Sequence, residues 1–168
     1  MGVSFAVITS AYGRQSQGTV RLHLLDLPVS QYGVDMADHT DDLRLAHILA
    51  DDADSLTMSR FGARDLTVST KPDHSEVTDA DLAVEDSVRR TLSRMRSRDA
   101  VHGEERADTG DGPRRWIIDP IDGTANFLRG VPVWATLIAL SVEDQIVASV
   151  VSAPALKRRW IGRASCRE

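Results

Sequence analysis

The stretch RRWIIDPIDGTANF, residues 114–127, constrains what this chain can fold into more than any other feature. Trp116, Ile117 and Ile118 suit a buried strand, and they run straight into Asp119. Pro120 has no N–H to give to a ladder, so the strand is expected to stop at Asp119 and the chain to turn. Gly123 permits backbone geometry that other residues resist. Such a turn brings the carboxylates of Asp119 and Asp122 to one side, with the carbonyl of Ile121 between them. Hard divalent cations take that donor set and complete their octahedron with water. A helix turn opening at Gly123 and Thr124 would add free N–H groups at the same spot, an anion site. A plainer alternative stays open here, because Asp-Pro and Asp-Gly are ordinary turn pairs that need bind nothing. One competing scheme fails on spacing. Hydrolases that form an aspartyl phosphate place their nucleophile in D-x-D-G-T, and here Pro120 occupies that position while Asp119 lies one residue too far back.

Two helices and several strands surround this turn. In TDDLRLAHILADDADSL, Thr40 is the N-cap candidate, Asp41 and Asp42 sit in the first turn, and Leu45, Ile48, Leu49 and Leu56 form the apolar set. Gly62 is the expected stop. Leu66 and Val68 alternate as in a half-buried strand. Thr78 and Asp81 then make a variant capping box for a second helix whose Val84, Val88, Leu92 and Met95 share a face. Met95 and Trp134 are expected in the core. VPVWATLIAL, VEDQ and IVASVVSA give two strands joined by a tight polar turn. Helices come first and strands dominate later, which favours α+β layers over a doubly wound sheet.

Composition narrows the function. With 168 residues the chain has the length of one domain, and a net charge of −5 argues against a nucleic-acid partner. Arg89, Arg90, Arg94, Arg96 and Arg98 fall in the last turns of the second helix, where cations complement the dipole, so they are expected to form a solvated helix end. The longest apolar stretch, near 131–140, is too short to span a membrane and contains Pro132 and Thr136. No signal peptide is expected at the N-terminus. The single cysteine, Cys166, excludes an internal disulfide framework and fits a reducing cytoplasm.

Three motifs, in order, carry a family resemblance. WIIDPIDGTANF at 116–127 resembles the signature of the inositol monophosphatase superfamily, magnesium-dependent and lithium-sensitive phosphomonoesterases. HGEE at 102–105 is similar to that family's Gly-Glu-Glu, and KPDHSEVTDAD at 71–81 to its Lys-x-Asp-x-Ser-x-Val-Thr-x-Ala-Asp segment. The resemblance implies a layered α/β sandwich of the inositol monophosphatase and fructose-1,6-bisphosphatase type, of which this chain holds the N-terminal part. It implies that Glu104, Asp119 and the Ile121 carbonyl hold a first magnesium ion, and that Asp119 bridges to a second that Asp122 also binds. Intact sites of this kind carry two or three ions. Glu104 and Thr124 would orient the attacking water, and Asp81 would accept from the Thr124 hydroxyl. The Gly123 and Thr124 N–H groups would hold phosphate, and Glu105 would support the metal from outside. Two-metal hydrolysis needs no covalent nucleophile, and the five histidines, which show no metal-ligand spacing, receive no role. LRGVPVWATLIAL and TDDLRLAHILADDADSLTMSRFGARDL are similar to the actinobacterial histidinol-phosphate phosphatase branch. The implied substrate is a small phosphorylated metabolite, histidinol phosphate first and an inositol, sugar or nucleotide phosphate as the alternative. A homodimer is the implied assembly.

The resemblance covers roughly residues 38–160. Residues 1–37, with weak alternation at Val20, Leu22 and Leu24, stand as a leader of uncertain status. The Trp-Asp-x-Ala segment that supplies the family's further metal ligand is not in the sequence. The last eight residues, IGRASCRE, resemble the translation of a common sequencing adapter, so 161–168 are expected to be non-native. Weak catalysis or none is therefore expected of this chain by itself. Its rival from another class is a metal-binding fragment without turnover.

Overall fold

A computed structural model describes residues 39–72 and 74–162. The leader strands around Val20, Leu22 and Leu24, the motif residue Asp73, and Cys166 lie outside the described residues. The architecture is α+β, with two long helices against one face of a five-stranded sheet. Helix α1 spans Thr40–Arg60 and α2 spans Asp79–Met95. The sheet runs β3 (Ala100–Gly103), β4 (Arg114–Asp122), β5 (Ala135–Val142), β6 (Gln145–Ala153) and β7 (Arg158–Gly162), in that spatial order. Only the β3–β4 pair is parallel. A separate two-stranded ribbon, β1 (Val68–Thr70) with β2 (Glu76–Thr78), leads into α2. Among the described residues no helix is long and apolar enough to cross a membrane.

Alternation on the strands builds the core. Trp116 and Ile118 of β4 pair with Leu140 and Ile138 of β5, which pair in turn with Ala148 and Val150 of β6. All six are buried and meet Leu45, Leu49, Val84, Val88 and Leu92 from the helices. Each buried Leu, Ile or Val among them contributes about 1.5–3 kcal/mol. Small residues on α1 (Ala46, Ala50 and Ala53) are fully buried and let the helix approach closely. Arg159 fastens the far edge of the sheet to α1 through Asp51 and Asp54, at 2.7 and 2.6 Å.

Several expectations need correction. Thr40 is the first helical residue rather than the cap; His39 takes the cap position and makes no side-chain capping bond. Ile48 is 48% exposed and Met95 51%. Ile48 falls outside the Leu45–Ala46–Leu49–Ala50 stripe, and Met95 is the last residue of α2, past the edge of what it covers. β1 is exposed at every position, and the half-buried residue is Leu66 just before it, packed on an aromatic cluster. The arginine cluster divides. Arg90, Arg94 and Arg98 are exposed, whereas Arg89 and Arg96 are half-buried and paired with Glu85 and Asp42. Other expectations hold. The capping box at Thr78 and Asp81 is complete, Gly62 follows α1 with φ 76°, and Glu143 and Asp144 form the tight turn between β5 and β6 with positive φ. Ile161 and Gly162 belong to β7, opposite Val150 and Ser149.

Candidate active site

Strand β4 does not stop at the proline. It continues to Asp122, and the ladder to β5 shifts register between Asp119, opposite Leu137, and Asp122, opposite Ala135. Three steps on β4 against two on β5 is a bulge, which absorbs the missing Pro120 N–H and re-aims the side chains after it. The buried Thr136 hydroxyl donates to the Pro120 carbonyl at 2.7 Å, so the bulge leaves that acceptor satisfied. Gly123 then reverses the chain at φ 91° and caps α3 (Thr124–Leu128). A side chain there would be strained, and a Cβ would come within 3.1 Å of the Val133 carbonyl. Beneath the turn, Phe61, Phe127 and Trp134 pack with ring centroids 5.0–5.5 Å apart. Trp134 is core, as expected, at 1% exposure. The turn between Asp119 and Thr124 is thus held by a bulge, a glycine and an aromatic floor.

Four carboxylates from three elements gather at this turn. Asp119 and Asp122 come from β4, Glu104 follows the end of β3, and Asp81 lies in the first turn of α2. Asp119 is only 8% exposed, and neither of its carboxylate oxygens has a hydrogen-bond partner. Burial pushes its pKa well above the usual carboxylate range, and the charges of Glu104, Asp122 and Asp81 push it further. Asp122 is raised by burial and then by Glu104. Burial also raises Asp81, against the opposing bonds from the Thr78 hydroxyl at 2.5 Å and the Thr78 N–H at 2.8 Å. Repulsion of this kind costs stability unless a cation enters, and buried carboxylates with free lone pairs are hard-cation donors. The residues present therefore suit a divalent metal.

One resident cation is already close. Lys71, just after β1, places its ammonium 2.7 Å from an oxygen of Glu104 and 2.7 Å from one of Glu105. Burial works to lower its pKa, but the two carboxylates win and raise it. Glu105 is raised by its own burial and eased by Lys71. Among the described residues no three His, Cys, Asp or Glu side chains form a closed ligand set.

The Thr124 hydroxyl lies 3.0 Å from the Ile121 carbonyl and 3.4 Å from Asp81. All the residues named from the sequence (Asp81, Glu104, Asp119, Ile121, Asp122, Gly123 and Thr124) thus come from segments that meet around one turn. Two residues were given no role, Lys71 and Glu85. Glu85 carries a signal that could have found it, a carboxylate on the buried stripe of α2 between Val84 and Val88.

Comparison with known proteins bears on the same segments. The sequence pattern of the inositol monophosphatase family matches residues 39–167. A histidinol-phosphatase of Streptomyces coelicolor is 62% identical over 129 residues, 74% of this chain and 48% of that protein. The histidinol-phosphatase of Mycobacterium tuberculosis is 61% identical over 121 residues, 71% of this chain and 46% of that one. Among solved structures, the extragenic suppressor protein suhB of Bartonella henselae superposes with a TM-score of 0.70 at 31% identity, covering 74% of this chain and 49% of its own. The chain spans about half the length of these relatives.

Proposed function

The chain belongs to the inositol monophosphatase family, whose members are generally metal-dependent, and on that premise we propose that it carries part of a magnesium-dependent phosphomonoesterase. The observation that carries the reading is Asp119, buried with two unpaired oxygens among like charges. In this reading Glu104, Asp119, Asp122 and the Ile121 carbonyl would hold the magnesium. Bound magnesium supplies a water of lowered pKa and neutralises charge on the phosphoryl oxygens. The protein groups do the positioning. Thr124, with its hydroxyl between Asp81 and Ile121, orients the attacking water together with Glu104. Asp81 sets the direction of that hydroxyl by accepting from it. The Gly123 and Thr124 N–H groups, where α3 opens, face the phosphate. Glu105 holds Lys71 and supports Glu104 from behind.

The proposed substrate is histidinol phosphate, on the strength of the identity to two proteins of that name. Inositol 1-phosphate is the alternative within the same chemistry. We place the whole protein in the cytoplasm as a homodimer, by family analogy alone. Calorimetric titration of the chain with magnesium, followed by phosphate release from histidinol phosphate and inositol 1-phosphate, tests the reading. Release that needs magnesium and is lost in Asp119→Asn supports the enzyme. Magnesium binding without release leaves a metal-binding module, and no binding removes the metal reading altogether.

A further inference from the structure

Glu85 is fully buried at 0% exposure, on the apolar stripe of α2. A carboxylate in that setting survives only with its oxygens satisfied. One oxygen accepts from Arg89 Nε at 2.7 Å, one helical turn on. The other accepts from the backbone N–H of Glu105, also at 2.7 Å. The amide on the other side matters equally, because the Glu104 N–H donates to the Ile118 carbonyl at 3.2 Å, extending the parallel β3–β4 ladder one step past Gly103. Both amides that flank the Glu104 side chain are thus fixed, one by the strand that carries Asp119 and one by Glu85. Arg89 ties down the rest of the segment through the Thr109 hydroxyl at 3.1 Å and the Arg106 carbonyl at 3.4 Å.

Gly103 completes the arrangement by shape. A Cβ at Gly103 would sit 2.0 Å from Glu85 Oε1 and 2.4 Å from its Cδ, so the glycine is required for space, the room that the carboxylate fills. An ion pair serving stability alone would need only Arg89. Here the second oxygen is spent on the amide beside Glu104, and the strand end is kept bare to admit it. We infer that Glu85 is a positioning residue for the metal site: by clamping the Glu105 amide it fixes the backbone that presents Glu104 to Asp119. The inference rests on the metal reading proposed above.

The experiment is Mn2+ binding followed by electron paramagnetic resonance on the full chain, paired with urea unfolding of the metal-free protein. Glu85→Gln keeps the shape but cannot accept from Arg89 and from the Glu105 amide together. Its Mn2+ affinity is expected to fall by about 10-fold or more, the usual penalty for losing a group that orients a ligand. A second variant separates positioning from folding. Gly103→Ala alone clashes with Glu85, whereas Gly103→Ala with Glu85→Ala removes the clash and refills part of the space. The double variant is expected to unfold cooperatively at a higher urea midpoint than Gly103→Ala while still binding Mn2+ about 10-fold more weakly than wild type. Wild-type binding with Glu85→Gln or the double variant within about 2-fold of it, well inside that penalty, overturns the positioning role and leaves the metal reading standing. A wild-type chain that takes up no Mn2+ overturns both.

Discussion

Two aspartates of this protein are almost equally shielded from solvent and live in opposite electrostatic worlds. Asp42 in α1 is 5% exposed, and Asp119 in β4 is 8% exposed. Burial works to raise the pKa of both. At Asp42 it is outweighed, because Arg114, His39 and Arg96 all reach the carboxylate, at 2.9, 3.3 and 3.1 Å, and hold it below the usual range. At Asp119 the leading influences all run the same way, burial first and then the repulsion of Glu104 and Asp122. Burial alone therefore says little about what an acid does. The partners supplied by the fold separate a cross-link from an acid left facing like charges.

Breaking the Asp42 side of that comparison gives the largest stability change. Asp42→Ala strips Arg96 of an ion-pair partner and removes one of the two carboxylates on Arg114, whose other contact is Asp99. Removing one member of a buried pair costs about 3–5 kcal/mol, and the half-buried arginines place this case near about 3 kcal/mol because they retain access to water. Urea unfolding at neutral pH reads the loss, and the magnesium affinity should stay within about 2-fold of wild type, since distant sites act independently. The pH dependence has a definite sign. The folded pKa of Asp42 lies below the ordinary value of 3.8, so its contribution is fully present above pH 3.8 and fades as pH falls through the lower folded value. The gap between wild type and Asp42→Ala should narrow in that acid range. A gap that stays constant down to the acid transition would mean the carboxylate charge is not what stabilises.

Asp119→Asn attacks the other side and should move two observables in opposite directions. Under the metal reading, magnesium affinity falls by about 100-fold, at or beyond the upper end of what losing a supporting residue costs. The metal-free protein gains stability, because Asn carries no charge for Glu104 and Asp122 to repel. Each kcal/mol of repulsion removed raises Tm by about 2–4 °C in a chain of this size. Differential scanning calorimetry with and without magnesium decides it. A metal-free Tm lower than wild type would show that Asp119 is structural, and the contrast with Asp42 would collapse.

How much of this could be read from the residues follows the range of the interactions. The Thr78–Asp81 capping box spans four positions, and it was legible. So were the β5–β6 hairpin, whose turn lies between two alternating runs, and the Asp119-to-Thr124 turn, whose six positions carry their own proline and glycine. The continuation of β4 past Pro120 is not legible locally, because the bulge that absorbs the missing N–H is a register shift against β5, the strand on which Thr136 sits 16 residues away. Ile48 and Met95 are apolar yet exposed, because Ile48 lies off the α1 packing stripe, which includes Ala46, Ala50 and Ala53, and Met95 is the last residue of α2. Lys71 and Glu85 act across 33 and 20 residues, on Glu104 and Glu105, and no local pattern announces a partner at that distance.

The smallest effect is also the sharpest probe of how the two worlds are kept apart. Thr136→Val preserves shape and removes only the hydroxyl that satisfies the Pro120 carbonyl inside the bulge. Leaving a buried acceptor unpaired costs about 1–3 kcal/mol, and a carbonyl with a second lone pair belongs at about 1 kcal/mol. A lower urea midpoint at unchanged m-value is the expected result, since the exposed surface on unfolding does not change. Because Pro120 lies between Asp119 and Ile121, a bulge that also shifts would carry the proposed metal donors with it, and under the metal reading magnesium affinity would fall along with stability. An intact affinity would mean that the aromatic floor of Phe61, Phe127 and Trp134, together with Gly123, suffices to hold the acids in place. No change in either quantity would show that the Pro120 carbonyl finds another donor, and the bulge would then owe its geometry to the backbone alone.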